Sequence, residues 1–208
     1  MLIQTDRAGH AQGMDAMRMV MARILTSIPP GRAKFTILDP VGLGQNFAGF
    51  MHLADHDESL VNSRIWTEPA HIEQRLADLT EHMETVIQKY LRNEFQTIDE
   101  YNAQAGELAE PYRFLVVADF PAAFEGESFR RLMSIASSGA RCGVYTLVLR
   151  DLRHALPPGT HIDELEHHSV NLVRQQDRFV WKDEVFKQFP LTLDPAPEDP
   201  TLIKLLDV

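Results

Sequence analysis

The sequence holds one cysteine, Cys142, in 208 residues. An internal disulfide is therefore excluded, and so is a thiolate cluster for structural zinc. Long apolar runs are missing too: nothing approaches the roughly 18 residues that a membrane-spanning helix needs, so no membrane contact is expected. The first residues lack the charged, apolar and small-residue segments of a signal peptide, and the expected location is cytoplasmic. Basic charge is also in short supply, with 20 Lys and Arg against 30 Asp and Glu and a net charge of −10. That argues against a surface built throughout for a nucleic-acid backbone and leaves room only for a local basic patch. No internal repeat or low-complexity tract is visible.

What is present is ordinary globular material: 44% hydrophobic and 24% charged residues, enough for one large domain or one domain plus a tail. Leu2 to Thr5 reads as a short strand, and Asp6 to Gly13 as a polar, glycine-containing loop. Met14, Met17, Val20, Met21, Ile24, Leu25 and Ile28 then recur at helical spacing until Pro29-Pro30-Gly31 ends the run. Phe35 to Leu38 predicts a buried strand closed by Asp39-Pro40. Thr67 is placed to cap a helix with Pro69 in its first turn, and Ile72, Leu76, Leu79, Met83, Val86, Ile87, Tyr90 and Leu91 form its apolar stripe. A shorter helix follows through Ile98, Tyr101 and Ala105. Tyr112 to Ala118 is the clearest strand, nearly all apolar as a strand covered on both faces should be. A helix through Phe129, Leu132, Met133 and Ile135 leads to a further strand, Gly143 to Leu149. Strands alternating with helices of this length predict parallel βαβ units and an α/β fold.

The C-terminal quarter differs. Asn171 to Val173 and Arg178 to Trp181 predict a hairpin, and beyond Phe189 the prolines 190, 195, 197 and 200 with acidic neighbours predict an extended linker. A linker there implies one module of a longer protein. The expected division is 1–165 for the α/β domain, 166–189 for a hairpin packed on it, and 190–208 for a Pro-rich linker or tail.

A strand, a glycine loop and a helix is the layout of a phosphate-binding loop, whose pattern is G-x-x-x-x-G-K-[ST]. Counted along residues 4–11, Gln4 stands for the first glycine, Gly9 for the second, His10 for the lysine and Ala11 for the hydroxyl. Only Gly9 survives, so the motif by itself carries no signal.

Several segments in order do carry one. Phe35-Thr36-Ile37-Leu38-Asp39-Pro40, His52-Leu53, Glu81-His82-Met83-Glu84 within the helix segment Ile72 to Asn93, Ile98-Asp99-Glu100-Tyr101-Asn102, Tyr112 to Asp119, and Gly139 to Val144 together resemble the motor domain of the FtsK/SpoIIIE family of DNA translocases. The resemblance runs from about Leu2 to Leu149, and Asp15-Ala16-Met17 aligns without a gap to the family's N-A-M after the Walker A motif. It implies a three-layer, RecA-like P-loop NTPase core with a mostly parallel sheet flanked by helices. It also implies a nucleotide site at Gln4, Gly9, His10, Ala11, Asp119 and Phe120.

The departures from the family pattern shape the functional expectation. Histidine is shorter than lysine and lacks its permanent charge, and Ala11 has no hydroxyl for magnesium. Asp119 retains the metal-supporting acid of the Walker B strand, but Phe120 replaces the family's catalytic glutamate, and about Arg150-Asp151 replaces the polar sensor pair. Phosphoryl transfer rests on positioning and charge neutralisation, so the expectation is a degenerate module, a pseudo-ATPase with no catalytic residues, no cofactor and no metal. Its implied partners are other ATPase modules of the same or a related chain, as in type VII secretion ATPases, with a ring oligomer as the family habit and Arg141 and Arg150 as candidate inter-subunit residues. DNA binding is implied by the resemblance alone. The alternative is an active ATP- and Mg-binding translocase with a rearranged P-loop, its lysine supplied by Lys34 or a neighbouring subunit. A metal enzyme built on His52 and His56 with Asp55, Asp57 and Glu58 is a third reading; a solvated loop is the simpler account of that stretch, as a surface position is for His167-His168.

Overall fold

The computed structural model describes residues 1–92 and 94–206. Its elements are β1 (Leu2–Thr5), α1 (His10–Ser27), β2 (Ala33–Leu38), α2 (Leu53–His56), α3 (Pro69–Val86), α4 (Ile98–Ala105), β3 (Tyr112–Phe120), α5 (Gly126–Ser138), β4 (Val144–Asp151), α6 (Asp163–His167), β5 (Asn171–Gln175), β6 (Arg178–Trp181), β7 (Pro190–Leu191) and α7 (Asp199–Leu206). All seven strands join one sheet in the order β2-β3-β4-β1-β5-β6-β7. The first five run parallel, and β6 and β7 close one edge antiparallel. The four strands read from the sequence as one parallel sheet do share it.

Alternation along β3 builds the layers. Leu115 and Val117 face α3 and α5, where they pack with Leu76, Leu79, Met83, Leu132 and Ile135. Phe114, Val116 and Ala118 face the other way and pack with Met14, Met17 and Met21 of α1 and with Phe35 and Ile37 of β2. Successive strand side chains point to opposite faces, so a strand apolar throughout feeds both cores at once. The Met-rich stripe of α1 is thus core. Among the described residues no helix is long and apolar enough to cross a membrane.

Three local expectations shift. The cap of α3 is Glu68 rather than Thr67: with Pro69 at the first helical position, the residue before it is held extended and becomes the cap. The expected hairpin exists, but β5 pairs parallel with β1 (Leu2↔Asn171, Ile3↔Leu172) and so extends the main sheet instead of packing on it. The tail is not an extended linker. Pro190 and Leu191 pair with β6, and α7 docks Leu202 and Leu206 into the core containing Phe47 and Phe50. Leu202 and Leu206 lie four apart, one above the other on a helix, and Pro200 is tolerated in its first turn. Asn93, the end of the matched helix segment, and residues 207–208 of the tail lie outside the described residues.

Candidate functional site at the strand tips

In open parallel sheets, ligands sit outside the carboxyl ends of the strands. Here that end gathers the loop from Asp6 to Gly9, the start of α1, and the tips of β3 and β4. The loop is closed on itself. Asp6 Oδ1 accepts the Gly9 N–H at 2.9 Å, and Arg174 Nη1, from β5, donates to both carboxylate oxygens of Asp6 at 2.9 and 2.8 Å. The Gly9 amide hydrogen bond, then Arg174, hold the Asp6 carboxyl below its usual value. The Arg174 side chain lies directly against Gly9: a Cβ there would come within 2.0 Å of the Arg174 Cδ, so a larger residue would displace that side chain.

His10, the first residue of α1, places Nε2 2.5 Å from Asp119 Oδ1. Asp119 and Asp151 are 2% and 0% exposed. Asp119 adopts φ +54, a left-handed backbone rarely taken by non-glycine residues. Asp151 ends β4 and is clasped by the next turn: the Arg153 amide and Nε reach Oδ1 at 2.9 Å, and Nε and Nη2 reach Oδ2 at 2.9 and 2.5 Å. The side-chain hydrogen bonds from Arg153 lower the Asp151 pKa, and His154 Nε2 stands 3.6 Å away. One ligand atom each from His10, Asp119 and Asp151 lie within 4.8 Å of one another.

The other residues singled out in the sequence are spread more widely. Gln4 is buried in a polar network, its Nε2 donating to Glu166 Oε1 at 2.8 Å and to Asn171 Oδ1 at 3.0 Å. Arg150, half-buried, donates from Nη1 to Gln4 Oε1 at 2.8 Å. Ala11 is exposed on α1. Phe120 is fully buried, with Phe124 and Phe129 ring centroids at 5.4 and 5.8 Å. Arg141 is exposed in the turn before β4, at the end of that strand opposite Asp151. Lys34 lies near the start of β2 and donates to Ser59 Oγ at 3.0 Å, away from the strand tips it would have to serve. His52 pairs with Asp55 at 3.3 Å, and among the described residues its stretch assembles no metal-ligand group. Asp39 does what a strand-closing residue should, accepting from the amides of Gly42, Gly44 and Asn46.

Asp6, Arg174 and Arg153 escaped the sequence reading. Asp6 had a signal, a carboxylate three residues before a helix-starting glycine that can take its amide. Arg174 had none, because only the parallel pairing of β5 with β1 brings it to the loop.

No protein-family model matches the chain, and no curated protein matches it. Solved structures do. EssC (ATPases 2 and 3) from Geobacillus thermodenitrificans superposes with a TM-score of 0.74 at 16% identity, over 99% of this chain and 43% of that one. The cytoplasmic domain of the Thermomonospora curvata type VII secretion ATPase EccC gives 0.64 at 17% identity, over 85% of this chain and 20% of that one. The pCW3 conjugation coupling protein TcpA, solved as a monomer with ATPγS, gives 0.65 at 13% identity, over 98% and 64%. The chain thus spans less than half of either secretion ATPase structure. At these identities the likeness is one of fold, and in fold the whole chain resembles the P-loop ATPase modules of FtsK/SpoIIIE-type motors.

Proposed function

We propose that the chain is a non-catalytic module of a multi-module secretion or translocation motor, its nucleotide site filled by its own side chains. The observation that carries this is the closure of the loop, with Asp6 on the Gly9 amide and Arg174 laid across both. A phosphate-binding loop works by offering free amides to an anion. Here an internal carboxylate already takes the Gly9 N–H. His10, at the position of the phosphate-reaching lysine, is engaged with Asp119. Ala11 offers magnesium no oxygen, and Phe120 is turned into the core. Mg-ATP does not fit these residues.

A module of this kind serves its neighbours. The solved relatives in fold are multi-ATPase chains, and one structure of Thermomonospora curvata EccC, ATPases 2 and 3, holds a signal sequence peptide. By that likeness the module packs beside an active ATPase module and contributes an interface or a partner-binding surface. The net charge of −10 favours a protein over a nucleic-acid backbone as that partner.

The test is a titration of the purified chain with a fluorescent ATP analogue and magnesium, alongside the H10K/A11S variant. The parent is expected to bind more weakly than about 1 mM, the affinity of a contact worth roughly 4 kcal/mol. A gain of binding in the variant supports the assignment of positions 10 and 11. Micromolar, magnesium-dependent binding by the parent refutes the silent-site reading and favours an active motor with a rearranged loop.

A further inference from the structure

We infer that His10, Asp119 and Asp151 form a binding site for a divalent transition cation of the zinc class, independent of nucleotide. The three donors come from the first turn of α1, from β3 and from the tip of β4, and their ligand atoms lie within 4.8 Å of one another. A zinc-class ion held at about 2.0–2.2 Å by imidazole nitrogen and carboxylate oxygen needs little more than side-chain adjustment to sit between them. The two carboxylates balance a divalent charge. The helix N-terminus opposes a cation with only about half a charge, which two full carboxylates outweigh.

The local structure is arranged as such a site would require. Two buried carboxylates side by side repel unless something positive stands between them. Here His10 hydrogen-bonds Asp119, and the permanently charged Arg153 pairs with Asp151. Arg153 is a removable counter-charge: it lies in the turn after β4, and its side chain is 46% exposed against 1% for Asp151. His10 keeps 24% exposure, which gives an ion a way in. Asp119 is held at φ +54, the kind of backbone strain that persists where the surroundings fix a side chain in place. The donor set selects the ion. One imidazole with two carboxylates suits zinc, cobalt, manganese or iron, whereas magnesium and calcium prefer oxygen throughout. A solvent molecule completes the coordination, and the ion ties the start of α1 to the tips of β3 and β4.

This inference goes beyond the silent-nucleotide reading and does not rest on it, since it needs only three side chains and not the state of the loop amides. A chain that binds both the ATP analogue and metal would overturn the first and keep the second. The experiment is a cobalt(II) titration of chelator-treated protein followed by visible absorption, with zinc competition. One equivalent is expected to bind, with the intense bands of a low-symmetry site. H10A and D119N should each weaken binding at least tenfold, while R153A should tighten it several-fold by releasing Asp151. The double variants H52A/H56A and H167A/H168A should leave it unchanged. Absence of a one-to-one site at 100 µM metal overturns the inference, as does binding that survives H10A and disappears in H167A/H168A. Circular dichroism checks that each variant is folded; should D119N fail, the opposite shifts of H10A and R153A still decide the matter.

Discussion

Placing a glutamate after Asp119, as the family pattern has it, is the obvious test of the proposed silent site, and the structure predicts that F120E will break the fold instead. Phe120 is fully buried in the core between the sheet, α3 and α5, against Phe124 and Phe129. Removing a buried Phe side chain costs about 3–5 kcal/mol, including roughly 0.5–1.5 kcal/mol for each aromatic contact. A carboxyl placed there must also be desolvated, which adds about 1–3 kcal/mol even if it stays protonated. The sum rivals the roughly 5–15 kcal/mol that holds a domain together. F120L keeps an apolar side chain and should cost about 1–2 kcal/mol. Urea unfolding followed by the fluorescence of Trp66 and Trp181 separates the two. With a slope of about 2–3 kcal/mol per molar, F120L should lower the midpoint by under about 1 M. F120E should lower it by about 2 M or abolish the transition. A native-like midpoint for F120E, or ATP hydrolysis by the folded F120E/H10K/A11S triple variant, would refute the reasoning, because residue 120 would then face the strand tips and not the core.

Two further outcomes are expected. Burial, then the nearby Arg113 and Lys34, lower the His82 pKa from 6.5 to about 4. The folded state therefore binds fewer protons than the unfolded chain between pH 6.5 and 4, and stability falls as pH is lowered through that window. Discounted for partial solvent contact, the loss is about 2 kcal/mol; it should be absent from H82L when urea midpoints at pH 7 and pH 4.5 are compared with those of the parent, and an equal loss in both would remove His82 as its source. L202A should cost about 2–3 kcal/mol, because Leu202 is 1% exposed in a packed core; a linker residue would cost under about 0.5 kcal/mol, and a change that small in thermal unfolding would mean that α7 does not dock in solution.

Much of the fold could be read from hydrophobic pattern, since β3 and the stripes of α1 and α3 have one periodicity each and nothing competing with it. The cap of α3 was off by one because Thr67 and Pro69 give compatible signals one residue apart. The sequence marks β5 as half of a hairpin but not as a member of the main sheet: a turn announces an antiparallel neighbour, whereas a parallel one leaves no local mark. Proline content hid α7, whose docking depends on two leucines rather than on composition. At the site, positions 9, 10, 119 and 151 could be named from the chain. That Asp6 and Arg174 close the loop, and that Asp151 joins His10 and Asp119, could not, because those meetings depend on strand order.

The central place of β1 in the sheet bears on how the protein forms. Its four residues lie between β4 and β5, with Leu2 opposite Val148 on one side and Asn171 on the other. Partners about 150 and 170 positions away make these among the most non-local contacts in the chain, and closing such loops comes before any reward from pairing. The sub-sheet β2-β3-β4 has shorter spans to close and can assemble with α3 and α5 around the first core. Insertion of β1, followed by β5, is then expected to complete the sheet late. Docking β1 and β5 also brings His10 to Asp119 and Arg174 to Asp6, so the contacts at the strand tips depend on the most distant pairings in the sheet.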